Sequence, residues 1–117
     1  MPSPGADHPI FSLDQARELL PQVKHVTADA VQRVESLASQ LHGLTEDDPE
    51  HGPLSAARHA VVDGWADQVH LLGVEAKGLW LVDFDNGNGY YCWCYPEPTI
   101  THYHGYSDGF DGRLRIH

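Results

Sequence analysis

Two histidines near the C-terminal end have the residue type and spacing best suited to chemistry in this sequence. His102 and His104 flank a tyrosine in a stretch rich in aromatic and branched residues, which is typical of a β-strand. Alternate side chains of a strand point to the same side, about 6.5 to 7 Å apart, so both imidazoles can reach one metal ion. With Glu75 as the carboxylate ligand, we predict a site for a divalent metal: zinc, iron or manganese. The alternative is that both histidines are structural and hydrogen-bond to neighbouring residues.

The two cysteines, Cys92 and Cys94, are the other potential metal ligands or nucleophiles. A CxC motif lacks the second cysteine pair of a structural zinc site, and two cysteines at this spacing on a strand cannot easily form a disulfide. In the simplest strand register both thiols point away from His102 and His104, so no imidazolium activates them. We therefore predict two buried, inert thiols that stay reduced, which indicates a reducing compartment.

Two other patterns resemble metal sites but have simpler explanations. The first is a helically spaced stripe that lies opposite the apolar residues of its helix, so it is predicted to be the solvated face. It consists of His59, Asp63, Asp67 and His70. The second is Asp83-x-Asp85 before Asn86-Gly87, which lacks the turn glycine and the final glutamate of a calcium loop. Hairpin turn chemistry explains it.

Composition restricts the partners and the compartment. The chain has 117 residues, enough for one domain with a single core. Its 17 acidic residues against 7 Lys and Arg repel phosphate backbones and anionic membranes, so we expect neither nucleic acid nor a membrane as partner. Residues 1–10 contain neither a basic start nor an apolar stretch and are predicted to be disordered, outside a single domain over 11–117. We expect a cytoplasmic protein.

The N-terminal part of the domain is predicted to be helical. Ser12 and Gln15 form a capping box before a helix over about 13–42, which Pro21 either kinks or breaks. Apolar residues recur at steps of three and four from Val23 onward, the spacing of a stripe that packs along another helix. An acidic loop at 43–53 precedes a second helix over about 54–72, and Gly73 supplies its stop. We predict an antiparallel helix pair.

The C-terminal half changes to the pattern of strands. Strands are predicted at about 79–84, 90–95 and 99–104, with Asn86-Gly87 and Pro96-Glu97-Pro98 as the turns between them. The result is a three-stranded antiparallel meander packed with the helix pair, an α+β fold, followed by an irregular tail at 105–117. In the simplest register one face carries Trp93, His102 and His104, whereas Asp83 and both cysteines point to the other side. Because neither face is polar, we predict a homodimer or a tail that covers the second face.

Several segments together resemble one family. They are Leu13 to Val23, Gly73 to Lys77, Leu81 to Phe84, Cys92-Trp93, Glu97, Ile100, His104 and Gly109-Phe110-x-Gly112-Arg113. This pattern, which covers nearly the whole chain, resembles a bacterial family catalogued as domain of unknown function 2203. The resemblance implies no activity, but it selects polar residues that match the family pattern. His102 departs from the pattern, because an aromatic residue is usual there, and so does Cys94.

Two functional interpretations remain open. The first is a dimeric binding protein with a polar pocket in the C-terminal sheet, with or without the divalent metal. Its pocket candidates are Glu75, Lys77, Asp83, Glu97 and Arg113. If the protein is an enzyme, a metal-activated water would act on a small molecule, and Arg113 would hold an anionic group of that molecule. The sequence does not identify the small molecule. The alternative is a non-catalytic interaction module without metal, in which Trp80, Trp93 and the tyrosines form the partner surface.

Overall fold

A computed structural model describes residues 9–116, so most of the segment predicted to be disordered, residues 1–8, lies outside the described residues. The described chain forms two helices followed by five strands, which confirms the α+β class. The elements are α1 (Leu13–Leu41), α2 (His51–Leu71), β1 (Glu75–Gly78), β2 (Leu81–Asp85), β3 (Tyr90–Cys94), β4 (His102–His104) and β5 (Leu114–Arg115).

Helix α1 begins as predicted and continues through its proline. Ser12 accepts a hydrogen bond from the Gln15 backbone N–H, and the Gln15 side chain accepts one from Ser12, which completes the capping box. Pro21 lies inside the helix, so the predicted break is wrong. A proline costs a helix about 3 kcal/mol, but Leu20 and Val23 on either side of it are buried in the same core, and their packing offsets that loss.

Helix α2 begins at His51, three residues earlier than predicted. Pro53 therefore lies in the first turn, where its missing N–H would have had no partner within the helix. The helix ends at Leu71, and Gly73 follows with a φ of 87°, a left-handed conformation that suits glycine. Between the helices, the indole N–H of Trp65 donates a hydrogen bond of 2.8 Å to the hydroxyl of Thr27, and both residues are buried.

The sheet has five strands in the order β1-β2-β3-β4-β5, and every neighbouring pair is antiparallel. The predicted three-stranded meander is therefore incomplete. β1 is short and carries charged residues, so it has no apolar alternation; β5 has only two residues in the glycine-rich tail that was predicted to be irregular. The predicted strand at 79–84 begins only at Leu81, because Trp80 has a positive φ of 60° in the turn after β1.

The helices cover one face of the sheet, and the core lies between them. From the sheet, Val82, Phe84 and Trp93 are fully buried against α1 and α2. Trp80 packs edge-on against Trp65, with ring centroids 5.0 Å apart. Of the aromatic residues that were predicted to form a partner surface, Trp93 is buried in the core and Trp80 is half-buried, whereas Tyr103 and Tyr106 are exposed.

The register between β3 and β4 differs from the simplest one. Cys92 lies opposite His102 and Tyr90 lies opposite His104, so both histidines point to the same side as Asp83 and Cys92, not to the side of Trp93. This assignment of faces was wrong by one residue, a slip that exchanges the two sides of a strand. Contacts distant in sequence hold the preceding loop: Ile100 is buried in the core, and Arg17 of α1 donates to its carbonyl oxygen at 2.8 Å.

Candidate functional site

The sheet face opposite the helices, which we call the polar face, collects the charged and titratable side chains of the C-terminal half. The strand pairings place Glu75 opposite Asp83, Asp83 opposite Cys92, and Cys92 opposite His102. The C-terminal segment lies over this face: the hydroxyl of Tyr106 donates to Asp85 at 2.7 Å. This contact agrees with the predicted tail over the second face.

Three side chains from three adjacent strands meet at the centre of the polar face. Asp83 on β2, Cys92 on β3 and His104 on β4 each offer one metal-binding atom, and these atoms lie within 4.8 Å of one another. The three residues are 2%, 0% and 4% exposed. Gly89 permits this arrangement, because a Cβ at that position would lie 2.5 Å from the carbonyl oxygen of His104 and would push β4 away. We call Asp83, Cys92 and His104 the donor triad.

The hydrogen bonds of His104 determine where protons lie in the donor triad. Its Nδ1 is 2.9 Å from the carbonyl oxygen of Gly105, which can only accept, so Nδ1 carries a proton and donates it. Its Nε2 is 3.0 Å from Oδ1 of Asp83. A neutral imidazole protonated at Nδ1 has a lone pair on Nε2, which would face a carboxylate lone pair. One proton must therefore lie between Nε2 and Oδ1, on either the acid or the ring.

Burial raises the pKa of each of the other two members of the donor triad. Desolvation raises the pKa of Asp83 above its ordinary value, against the opposing effects of His104, Cys92 and Lys77. Desolvation, followed by the negative charge of Asp83, raises the pKa of Cys92 to about 12. The Cys92 thiol is therefore a poor nucleophile at neutral pH, as predicted, although it does not point away from His104.

Glu75 and Lys77 form a separate group beside the donor triad. Glu75 Oε1 is 3.0 Å from Lys77 Nζ and accepts a hydrogen bond from the Tyr90 hydroxyl at 3.4 Å. Burial lowers the pKa of Lys77, but its contacts with Glu75 outweigh that effect and the net shift is upward. The ammonium group also lies 4.8 Å from the centre of the Tyr90 ring. These contacts bind β1 to β3 across β2.

Glu97 and Arg113 form a third group that fastens the C-terminal segment to the loop after β3. Arg113 Nη1 donates to both carboxylate oxygens of Glu97 at 3.1 Å, and one of these oxygens also accepts the backbone N–H of Cys94 at 2.8 Å. The guanidinium group stacks 4.2 Å from the Phe110 ring centre. His102 lies at the edge of this group, with Nδ1 4.0 Å from Glu97 and 2.8 Å from the Thr101 hydroxyl.

The structure thus divides the residues selected from the sequence among three groups. Of the expected ligands His102, His104 and Glu75, only His104 belongs to the donor triad. Asp83 joins it, although the simplest register placed Asp83 on the opposite side. Cys92 was not among the expected ligands, and only the register of β3 against β4, which the local sequence does not encode, could have indicated it.

The family model of an uncharacterised conserved protein, DUF2203, matches residues 9–116. The chain belongs to this family. No curated protein and no solved structure matches it. Within residues 9–116, neither helix is long and apolar enough to cross a membrane. The family match confirms the resemblance seen in the sequence and assigns no activity, so the chemistry of the polar face must be argued from its geometry.

Proposed function

We propose that this protein binds one divalent transition-metal ion, with zinc preferred, through Asp83, Cys92 and His104. The observation that carries the proposal is the meeting of a carboxylate, a thiol and an imidazole, all buried, with their donor atoms within 4.8 Å of one another. Tetrahedral zinc with ligands at its usual distances holds N, O and S atoms about 3.3 to 3.6 Å apart. The closest pair, His104 Nε2 and Asp83 Oδ1 at 3.0 Å, would have to separate by about 0.3 Å, whereas a pair at the 4.8 Å limit would have to approach by about 1.2 Å.

The second hydrogen bond of His104 supports the proposal. Histidines that bind a metal through one nitrogen usually donate the other N–H to a carboxylate or a carbonyl oxygen. His104 does so through Nδ1 to Gly105, which leaves the lone pair of Nε2 directed toward the other two donors.

Charge balance favours a divalent ion. Without metal the site is neutral, because one proton is shared by Asp83 and His104 and another remains on Cys92. A divalent ion that displaces both protons leaves a carboxylate and a thiolate around two positive charges, so the site is neutral again. The neighbouring Arg113–Glu97 pair is also neutral. A net charge in a buried site would be strongly unfavourable. Exchange of one divalent ion for two protons avoids this cost, because it leaves the net charge of the site unchanged.

The donor types favour zinc over manganese, two of the three metals expected from the sequence. Thiolate and imidazole ligands favour zinc, whereas manganese prefers sites made of carboxylates, carbonyls and water. Three protein ligands leave one position of a tetrahedral shell, where a catalytic zinc holds the water that it activates. Because the three side chains are at most 4% exposed, a substrate would reach the ion only after the protein around the donor triad opens. Arg113 binds Glu97 and also contacts the Cys92 thiol, so its guanidinium group lies beside the proposed site.

The proposal is tested by zinc content and affinity. Untagged protein purified without chelator should contain close to one zinc per chain by elemental analysis. Cys92→Ala removes a donor and Asp83→Asn replaces the carboxylate by a neutral amide, a weaker zinc ligand, so each should weaken zinc binding by more than about 100-fold. Cobalt loaded in place of zinc should give a thiolate charge-transfer band that disappears in Cys92→Ala.

Two matched controls share the residue types of the donor triad but lie outside it. Cys94→Ala and His102→Ala should keep wild-type zinc affinity, because neither side chain has a donor atom in the donor triad, although His102 lies opposite Cys92. A wild-type protein that takes up no zinc would refute the proposal. So would equal zinc loss in Cys94→Ala and Cys92→Ala.

A further inference from the structure

Helix α2 has an open strip between its polar side and its buried side. The polar stripe of His59, Asp63, Asp67 and His70 is exposed, and Trp65 and Val69 are the fully buried residues of the helix. Small residues that are exposed or half-buried lie between the two sides.

The open strip of α2 and the adjacent side of α1 form a groove of about 790 Å³. On α2 the groove is lined by small residues, including Ala57, Ala60 and Gly64. A Cβ built on Gly64 would meet no atom within 4 Å, so this side of the helix is open. Small residues allow the backbone of another helix to approach closely.

The groove carries opposite charges, so it can pair with the same groove of a second copy of the chain. Asp29 and Arg33 line it from α1, about 64% exposed, and their charged groups are 3.9 Å apart within the chain. A twofold axis through the groove would bring Asp29 of one copy near Arg33 of the other and the reverse, which is the reciprocal pattern of an isologous interface. The rest of the chain is strongly acidic, but the groove itself carries one charge of each sign.

We propose that the groove between α1 and α2 is a dimer interface whose occupant is the same groove of a second copy of this chain. The two helix pairs then form a four-helix bundle, and the polar face of each sheet remains outside the interface. The expected homodimer thus forms through the helices and not through the aromatic sheet face. Formation of the dimer does not depend on metal at the donor triad.

Sedimentation equilibrium with and without chelator tests the proposal. The wild type should be a dimer in both conditions. Ala60→Glu places a charge at an exposed position inside the groove and should raise the dimer dissociation constant at least 100-fold while the circular dichroism spectrum of the helices is retained. His59→Glu introduces the same side chain at an exposed position on the opposite side of α2 and should leave the dissociation constant within about threefold of wild type.

A charge exchange adds an independent test. Arg33→Asp should weaken the dimer about 10-fold, and the double variant Asp29→Arg with Arg33→Asp should restore it, because the reciprocal pairs re-form with reversed sign. A wild type that is still monomeric at a protein concentration of about 100 µM would overturn the proposal. Equal dissociation by Ala60→Glu and His59→Glu would overturn it as well.

Discussion

Zinc binding to the metal-free protein should release about two protons per ion at neutral pH. The first is the proton between His104 Nε2 and Asp83 Oδ1, which are 3.0 Å apart. The second is the thiol proton of Cys92, whose pKa of about 12 keeps it bound in the absence of metal. The proton on His104 Nδ1 stays, because it is donated to Gly105. Since bound ligands must be deprotonated, the apparent zinc affinity should rise by about 100-fold per pH unit between roughly pH 6 and 8.

Isothermal titration calorimetry in buffers of different ionisation enthalpy measures this number directly, because the observed enthalpy changes linearly with that of the buffer and the slope is the number of protons released. Asp83→Asn should lower the slope to about one, since an amide at position 83 can donate to Nε2 and no proton is shared. Cys92→Ala should also lower it to about one, with weaker binding in both variants. Cys94→Ala should keep the wild-type slope. A wild-type slope near zero would refute the proton positions derived for the donor triad.

Three further predictions concern stability. Because the folded-state pKa of Cys92 is raised from 9.0 to about 12, its contribution is present below pH 9 and is lost as the pH rises to about 12. The unfolding free energies of the metal-free wild type and of Cys92→Ala can be measured in urea over that pH range. The wild-type value should fall more steeply, by up to about 1.4 kcal/mol per pH unit more than that of Cys92→Ala. Parallel curves would contradict the raised pKa of Cys92. Thr27→Val should destabilise the protein by about 1 to 3 kcal/mol, because it removes the acceptor of the buried Trp65 N–H. In a chain that already carries Trp65→Phe, Thr27→Val should lose most of this effect. A Thr27→Val variant as stable as the wild type would show that the hydrogen bond contributes little. Arg113→Ala should lower stability by about 1 to 3 kcal/mol in the same assay, against less than about 1 kcal/mol for the more exposed Lys77→Ala, and the reverse order would be inconsistent with the contacts of Glu97.

The helices and the inner strands could be predicted because their signals are local. The capping box at Ser12 and the apolar stripe after Val23 mark α1, and Asn86-Gly87 marks the hairpin between β2 and β3. The continuity of α1 through Pro21 could not be predicted, because it depends on packing against residues far away in sequence. The outer strands β1 and β5 were missed for a different reason: they are too short to show periodicity.

The donor triad also depends on contacts between residues that are distant in sequence. His104 and Asp83 were selected from the sequence, but their meeting depends on a register that Ile100, buried in the core, and Arg17 of α1 help to fix across the fold. Cys92 was interpreted as an inert thiol that faces away from His104; its raised pKa agrees with an inert thiol, but its side chain lies on the same side of the sheet as His104. The residue types could be found from the sequence; their shared side of the sheet could not.

The distribution of the donor triad over three neighbouring strands also bears on how the sheet assembles. A slip of one residue between β2 and β3, or between β3 and β4, would turn one donor to the opposite side, so no slipped sheet could present all three to one ion. A ligand that binds only one of several competing states increases the population of that state by mass action. Metal bound at this position would therefore act during folding as a selector among strand alignments: it would stabilise the native pairing and leave every shifted pairing without that gain.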